Sequence, residues 1–164
     1  NSGLFGATVS WMKWLQSHNV AIGIIDKYDQ VQSVTASQEE YSIATYLMGK
    51  EQGAFLFTAP NNGPGYGYGA EQWHYEYDTS LGPPCAEMYG GKTYDPNNPQ
   101  IWYRQFANGI SVVNSGSLPT ASENATLPTG RVYKDIHNRK ITNPLAVASN
   151  DAYVLTTAKG TGCN

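Results

Sequence analysis

Two aspartates stand at the end of an apolar run. Val20-Ala21-Ile22-Gly23-Ile24-Ile25 leads directly into Asp26, and Asp29 follows three residues on. A segment apolar throughout is the pattern of a strand covered on both faces. A carboxylate at the C-terminal end of such a strand is placed for acid, base or nucleophile work in α/β folds. The same position suits a residue that initiates a loop or caps a helix. A second group follows in Asn61-Asn62-Gly63-Pro64-Gly65-Tyr66-Gly67-Tyr68-Gly69 and Trp73-His74-Tyr75-Glu76-Tyr77-Asp78. The flat rings of Tyr66, Tyr68 and Trp73 match the C–H faces of sugars. His74 and the amides would hydrogen-bond sugar hydroxyls, and Glu76 and Asp78 would add carboxylates at the same mouth. Tyr and Trp in such density fit a subunit interface equally well, and the acids fit a solvated loop. Glycoside hydrolysis commonly uses two carboxyl groups about 5 to 10 Å apart. The candidates are therefore Asp26 as a catalytic group, with Asp29, Tyr66, Tyr68, Trp73, His74, Glu76 and Asp78 binding a polysaccharide or oligosaccharide.

Other chemistries find less support. His18, His74 and His137 are far apart and lack the spacing of zinc ligands, and Asp95-Pro96-Asn97-Asn98 lacks the oxygen density of a calcium loop. The glycines at 65, 67 and 69 open no helix, so a phosphate cradle is not indicated, and no Gly-x-Ser-x-Gly elbow occurs. No metal or cofactor is expected. The 164 residues carry a formal charge of −3 with 14% charged residues, against about 25% in ordinary domains, which speaks against a nucleic-acid partner. No apolar run approaches the roughly 20 residues that span a bilayer, so no membrane partner is expected.

Cys85 and Cys163 suit one disulfide, and Asn124-Ala125-Thr126 is an N-glycosylation sequon whose acceptor, Asn124, must be accessible. With the low charge, these favour a secreted, extracellular protein. Asn1 in place of Met suits a processed product or a fragment.

The elements that must position these groups change character along the chain. Val9, Trp11, Met12, Trp14 and Leu15 recur at helical spacing and end at Ser17-His18-Asn19, with Trp11, Trp14 and Trp102 read as core residues. Ser37-Gln38-Glu39-Glu40 reads as a capping box that opens a second helix, closed by Gly49 or Gly53. Ala54 to Thr58 is a second buried strand, stopped by Pro60. The main boundary falls in the Gly/Pro-rich stretch from Gly82 to Pro99. Beyond it, Ile101–Phe106 and Ile110–Val113 form a hairpin around an Asn108-Gly109 turn. Short strands at Thr126-Leu127, Arg131 to Lys134, Leu145 to Ala148 and Tyr153 to Thr157 follow, separated by turns. Two or three parallel strands with two helices leave open edges and uncovered apolar faces. A partner chain, a larger barrel, or direct packing of the second-half sheet on the helices would each resolve this.

The segment Ile101 to Asn114, Ile-Trp-Tyr-Arg-Gln-Phe-Ala-Asn-Gly-Ile-Ser-Val-Val-Asn, followed by Ala125 to Asp135 and preceded by Leu81-Gly82-Pro83-Pro84, resembles the close of glycoside hydrolases with a (β/α)₈ barrel and a small C-terminal β-sandwich. Ser115 stands where that pattern has Pro. The resemblance implies the last strands and helices of a (β/α)₈ barrel over 1–99 and an antiparallel β-sandwich over 100–164. It also implies an N-terminal barrel portion or other subunit as partner, and action on or binding of polysaccharide. The rival expectation is a non-catalytic extracellular structural or glycan-binding subunit that self-associates or completes its fold with a partner chain.

Overall fold

A computed structural model of the chain describes residues 2–29, 35–51, 54–61, 79–90, 100–116 and 122–163. The elements are α1 (Ser2–Ser17), β1 (Ile22–Asp29), α2 (Ala36–Gly49), β2 (Ala54–Asn61), β3 (Tyr89–Gly90), β4 (Ile101–Phe106), β5 (Gly109–Asn114), β6 (Glu123–Ala125), β7 (Leu145–Val147) and β8 (Asp151–Thr156). β1 and β2 form a parallel pair, connected through α2. β3, β4, β5 and β8 make an antiparallel sheet in that order, and β6 pairs with β7.

α1 ends where the polar residues predict. Asn19 takes a left-handed φ of 59°, and the amides of His18 and Val20 both bond to the Leu15 carbonyl. α2 begins one turn fragment earlier than the capping box at Ser37 predicts. Thr35 is the N-cap, accepting from the Gln38 amide while the Gln38 side chain returns to the Thr35 amide. Thr35-x-x-Gln38 satisfies the same pattern as Ser37-x-x-Glu40, and tertiary structure chooses between them. Glu40 accepts the outward-facing Val154 amide of β8 at 2.9 Å, and the Ser37 hydroxyl donates to Asp151 at 3.1 Å.

β5 explains the architecture. All six of its residues are buried, so this central strand must be covered on both faces. Ile110 and Val112 join Ile101, Tyr103 and Leu155 on one face, under Ala125, Leu127, Leu145 and Val147 of the β6–β7 side. Val113 joins Phe106, Ala152 and Val154 on the other, against Val9 of α1 and Ile43, Ala44 and Met48 of α2. The period of two along each strand sorts alternate residues into these two cores.

This arrangement overturns the (β/α)₈ expectation. Among the described residues there are two helices, the parallel layer is a single pair of strands, and no barrel closes. α2 does not face a barrel wall. It covers the antiparallel sheet, in a small, mostly β architecture. The physical reason is the sheet's own second apolar face, which a sandwich with only β6 and β7 would leave in water.

Polar side chains of the sheet fix the helix in place. The Ser111 hydroxyl donates to the Ala44 carbonyl at 3.0 Å. The guanidinium of Arg104, 1% exposed, donates to the carbonyls of Leu47, Met48 and Lys50 and to the Glu51 carboxylate. It thereby satisfies carbonyls that the last turn of any helix leaves open.

The hairpin forms with its turn one residue earlier than predicted. Phe106 pairs with Gly109, which leaves Ala107 and Asn108 as the connection. Gly109 is a strand residue whose missing Cβ lets the Leu155 carbonyl of β8 and the Leu81 side chain approach. The tip is clasped from two sides. The Ala107 and Asn108 amides bond to Pro83 and Leu81, and the Thr157 and Gly162 amides bond to Asn108 and Ala107. Cys85 and Cys163 join these two clasping segments in a disulfide with Cα atoms 5.2 Å apart.

Candidate functional site

Of the candidates read from sequence, Asp26 and Asp29 are described at the backbone level. β1 runs through both, so Asp26 is the fifth of eight strand residues and pairs with Thr58, while Asp29 ends the strand opposite Asn61. Likewise β2 continues through Pro60 to Asn61. The apolar run marks where β1 begins better than where it stops, because the parallel partner sustains pairing beyond it. Tyr66, Tyr68, Trp73, His74, Glu76 and Asp78 lie outside the described residues. Asn124 is on β6 with an exposed side chain, as a glycosylation acceptor requires.

An open cleft lies elsewhere, beside the C-terminal half of α1. It is about 960 Å³ and is lined by residues that include Ser10, Lys13, Trp14, Asn19, Glu51 and Glu87. Trp14 is 55% exposed and Trp11 61%, which corrects the reading of both as core residues. The helical spacing was right, but the apolar stripe on α1 is wider than the face that α2 and Trp102 cover. Leu4, Ala7, Trp11 and Trp14 follow at intervals of three, four and three along an exposed face. The third tryptophan, Trp102, is half-buried and donates its indole N–H to Ser115.

Three elements converge on the cleft. α1 supplies Trp14, whose ring packs on His18 with centroids 4.2 Å apart, and Trp14's carbonyl contacts His18 Nδ1 at 2.8 Å. α1 also supplies Lys13, whose ammonium pairs with Glu51 at 3.4 Å and with Glu87. Glu51 follows α2 and is held at 2.6 Å by the buried Arg104. Gln16, buried, closes the junction by donating to the carbonyls of Met12 and Gly49 and accepting from the Glu51 amide. The result is a half-exposed indole beside carboxylates held by cations, with hydroxyl and amide groups around them. Sequence spacing did not mark this site. Lys13, Glu51 and Glu87 are separated by long stretches of chain, and the one local signal was an apolar stripe on α1 wider than one packing face needs.

A second charged cluster lies at the edge of the antiparallel sheet. Asp135 is 4% exposed and accepts from the amides of His137 and Arg139 and from the Arg139 guanidinium at 2.7 Å. Burial opposes its charge, but these donors outweigh burial and hold its carboxyl below the usual aspartate range. Tyr153 nearby is pushed above the usual phenol range, by burial first and then by the carboxylates of Asp151 and Glu40.

Among the described residues, no group of three or more His, Cys, Asp or Glu is arranged to hold a metal, and no helix is long and apolar enough to cross a membrane. Compared with protein-family models, with curated proteins and with solved structures, the chain matches none.

Proposed function

We propose that this protein is a disulfide-stapled extracellular module that binds a neutral glycan in the cleft beside α1. The observation that carries the reading is the half-exposed Trp14 ring on the wall of an open cleft that it shares with Val20 and Ala21 and with hydroxyl, amide and ion-paired groups. An indole left in water costs hydrophobic free energy, which a sugar's C–H face would recover by stacking. Glu51 and Glu87 are engaged by Lys13, and Glu51 also by Arg104, so they stand as fixed acceptors for sugar hydroxyls. That arrangement suits binding over turnover. Secretion is part of the proposal. The disulfide is of the kind that persists in oxidising compartments, and the sequon's acceptor, Asn124, is exposed on β6.

The rival reading, self-association, is favoured by the Leu4, Ala7, Trp11 and Trp14 stripe, whose alternating spacing of three and four is that of a helix-pairing seam. One set of measurements separates the two. Titration with neutral oligosaccharides of β-linked glucose, xylose and mannose, followed by tryptophan emission, should show a saturable change. Trp14→Ala should weaken binding about tenfold with an unchanged circular dichroism spectrum, as the loss of one stacking aromatic predicts. A dimer in sedimentation equilibrium that Trp11→Ser dissociates, with no response to any sugar, would replace glycan binding by self-association.

A further inference from the structure

Four of the ten cations of this chain, Arg131, Lys134, Arg139 and Lys140, fall within ten consecutive residues. Asp135 is the one carboxylate among them, so this segment carries +3 while the whole chain carries −3, and the remainder therefore carries −6. Such a separation of charge creates a local positive field on an otherwise acidic molecule.

The fold concentrates it further. Residues 133–135 and 139–141 run antiparallel, with the Ile141 amide on the Tyr133 carbonyl and the Asp135 amide on the Arg139 carbonyl, around a tip where Asn138 takes a φ of 65°. Lys134 bridges to Thr156 of β8 on one side and to Lys140 on the other. Lys134 and Lys140 are thus directly opposed, and both side chains are exposed. Like charges at directly opposed positions destabilise a strand pair. Asp135 does not relieve them, because its carboxylate is taken up by Arg139 and local amides. Lys134 donates to the neutral Asn138 side chain. Lysine on an outer strand discourages edge-to-edge pairing, but that role requires neither an opposed pair nor four cations in ten residues.

Beside the pair is a cavity of about 500 Å³ whose lining includes Arg131, Val132, Lys140 and Thr142. Val132 is 56% exposed there, an apolar contact among cations and a hydroxyl. No residue lines both this cavity and the α1 cleft.

We infer that the 131–142 hairpin is a second binding site, which takes an acidic polysaccharide through Arg131, Lys134 and Lys140. A sugar-borne carboxylate or sulfate would bridge the opposed lysines. Arg131 would orient the anion by paired hydrogen bonds, and Val132 and Thr142 would meet the ring's C–H face and hydroxyls. The ligand is anionic sugar, not nucleic acid or an anionic membrane. The patch is short against the run of phosphates that a nucleic acid or a lipid surface presents, and the exposed Val132 suits a sugar ring. The inference does not rest on the α1 cleft.

The test is calorimetric titration of the whole protein with polygalacturonate, dextran sulfate and uncharged dextran, at about 50 mM and about 300 mM NaCl, which shortens the screening length about 2.4-fold. Salt-sensitive binding is expected for one or both acidic polymers and not for dextran, weakening at least tenfold at the higher salt. The polygalacturonate and dextran sulfate arms distinguish a carboxylate from a sulfate ligand. Lys134→Gln/Lys140→Gln should lose at least tenfold in affinity, and Lys134→Arg/Lys140→Arg should retain binding. Equal affinity of the Gln variant and the parent overturns the inference. So does binding of dextran that the Gln variant loses to the same extent as it loses the acidic polymers, or tighter binding of single-stranded DNA or phosphatidylserine vesicles.

Discussion

Asp135 shows how one buried carboxylate organises a loop. Its two oxygens accept from the His137 and Arg139 amides and from the Arg139 guanidinium, which holds the turn that carries Lys134 and Lys140. Because its folded pKa is lower than its unfolded one, the carboxylate contributes stability fully at pH above the unfolded value of about 3.9. That contribution is lost as pH falls through the folded value. Asp135→Asn should therefore be less stable than the parent at neutral pH in urea unfolding, with the gap narrowing below about pH 4. A gap that stays constant down to the acid limit would mean that packing, not charge, is what Asp135 supplies. Trp14 belongs to this scale too. Its period was legible in sequence, but its exposure was not, because a helical stripe does not reveal how much of itself a neighbour covers.

Among the elements, the β4–β5 hairpin was the most legible, and its details show where local patterns stop. The Asn108-Gly109 pair suggested a turn, yet Gly109 lies in β5 opposite Phe106. Its requirement is set by β8, whose Leu155 carbonyl occupies the space a Cβ would need, and by Leu81. Gly109→Ala should cost about 1–3 kcal/mol or more, since the obstructing atom is backbone and cannot rotate away. Urea unfolding would measure it, and a cost under about 0.5 kcal/mol would show that β8 yields easily. The α2 cap has the same lesson. Two overlapping boxes were available, and β8 recruited Glu40 and Asp151 for its own amide and for Ser37. Glu51 entered the cleft for a similar reason, drawn there by Arg104 from across the sheet.

For the molecule as a whole, the disulfide matters most. Cys85 and Cys163 are 78 residues apart in sequence and close the clasp around the hairpin tip. A loop of that length confines the unfolded chain, and removal of such a bond costs about 2–5 kcal/mol. Cys85→Ser/Cys163→Ser should fall in stability by that amount in urea, and dithiothreitol should bring the parent to the same curve while leaving the variant unchanged. Identical curves for parent and variant would show that the hydrogen bonds of the clasp suffice alone. The barrel expectation failed at this scale. Resemblance in the hairpin was resemblance in a packing unit, and similar hairpins can be covered by different layers.

Thr126-Leu127 and Arg131 to Lys134, expected as strands, form none beyond the isolated bridges at Lys134. The sequence by itself determined the two helices and the strands β1, β2, β4, β5, β7 and β8 near their centres, the capacity for one disulfide, and the sequon at Asn124. These follow from local periodicity, cysteine count and a three-residue motif. Tertiary structure alone decided what covers the second face of the antiparallel sheet. It also decided that Trp11 and Trp14 face water, that Lys13, Glu51 and Glu87 meet, and that Lys134 stands opposite Lys140. Each of those facts depends on which segment fills a space next to another, and burial is a competition among all the apolar faces of the chain that no local window contains.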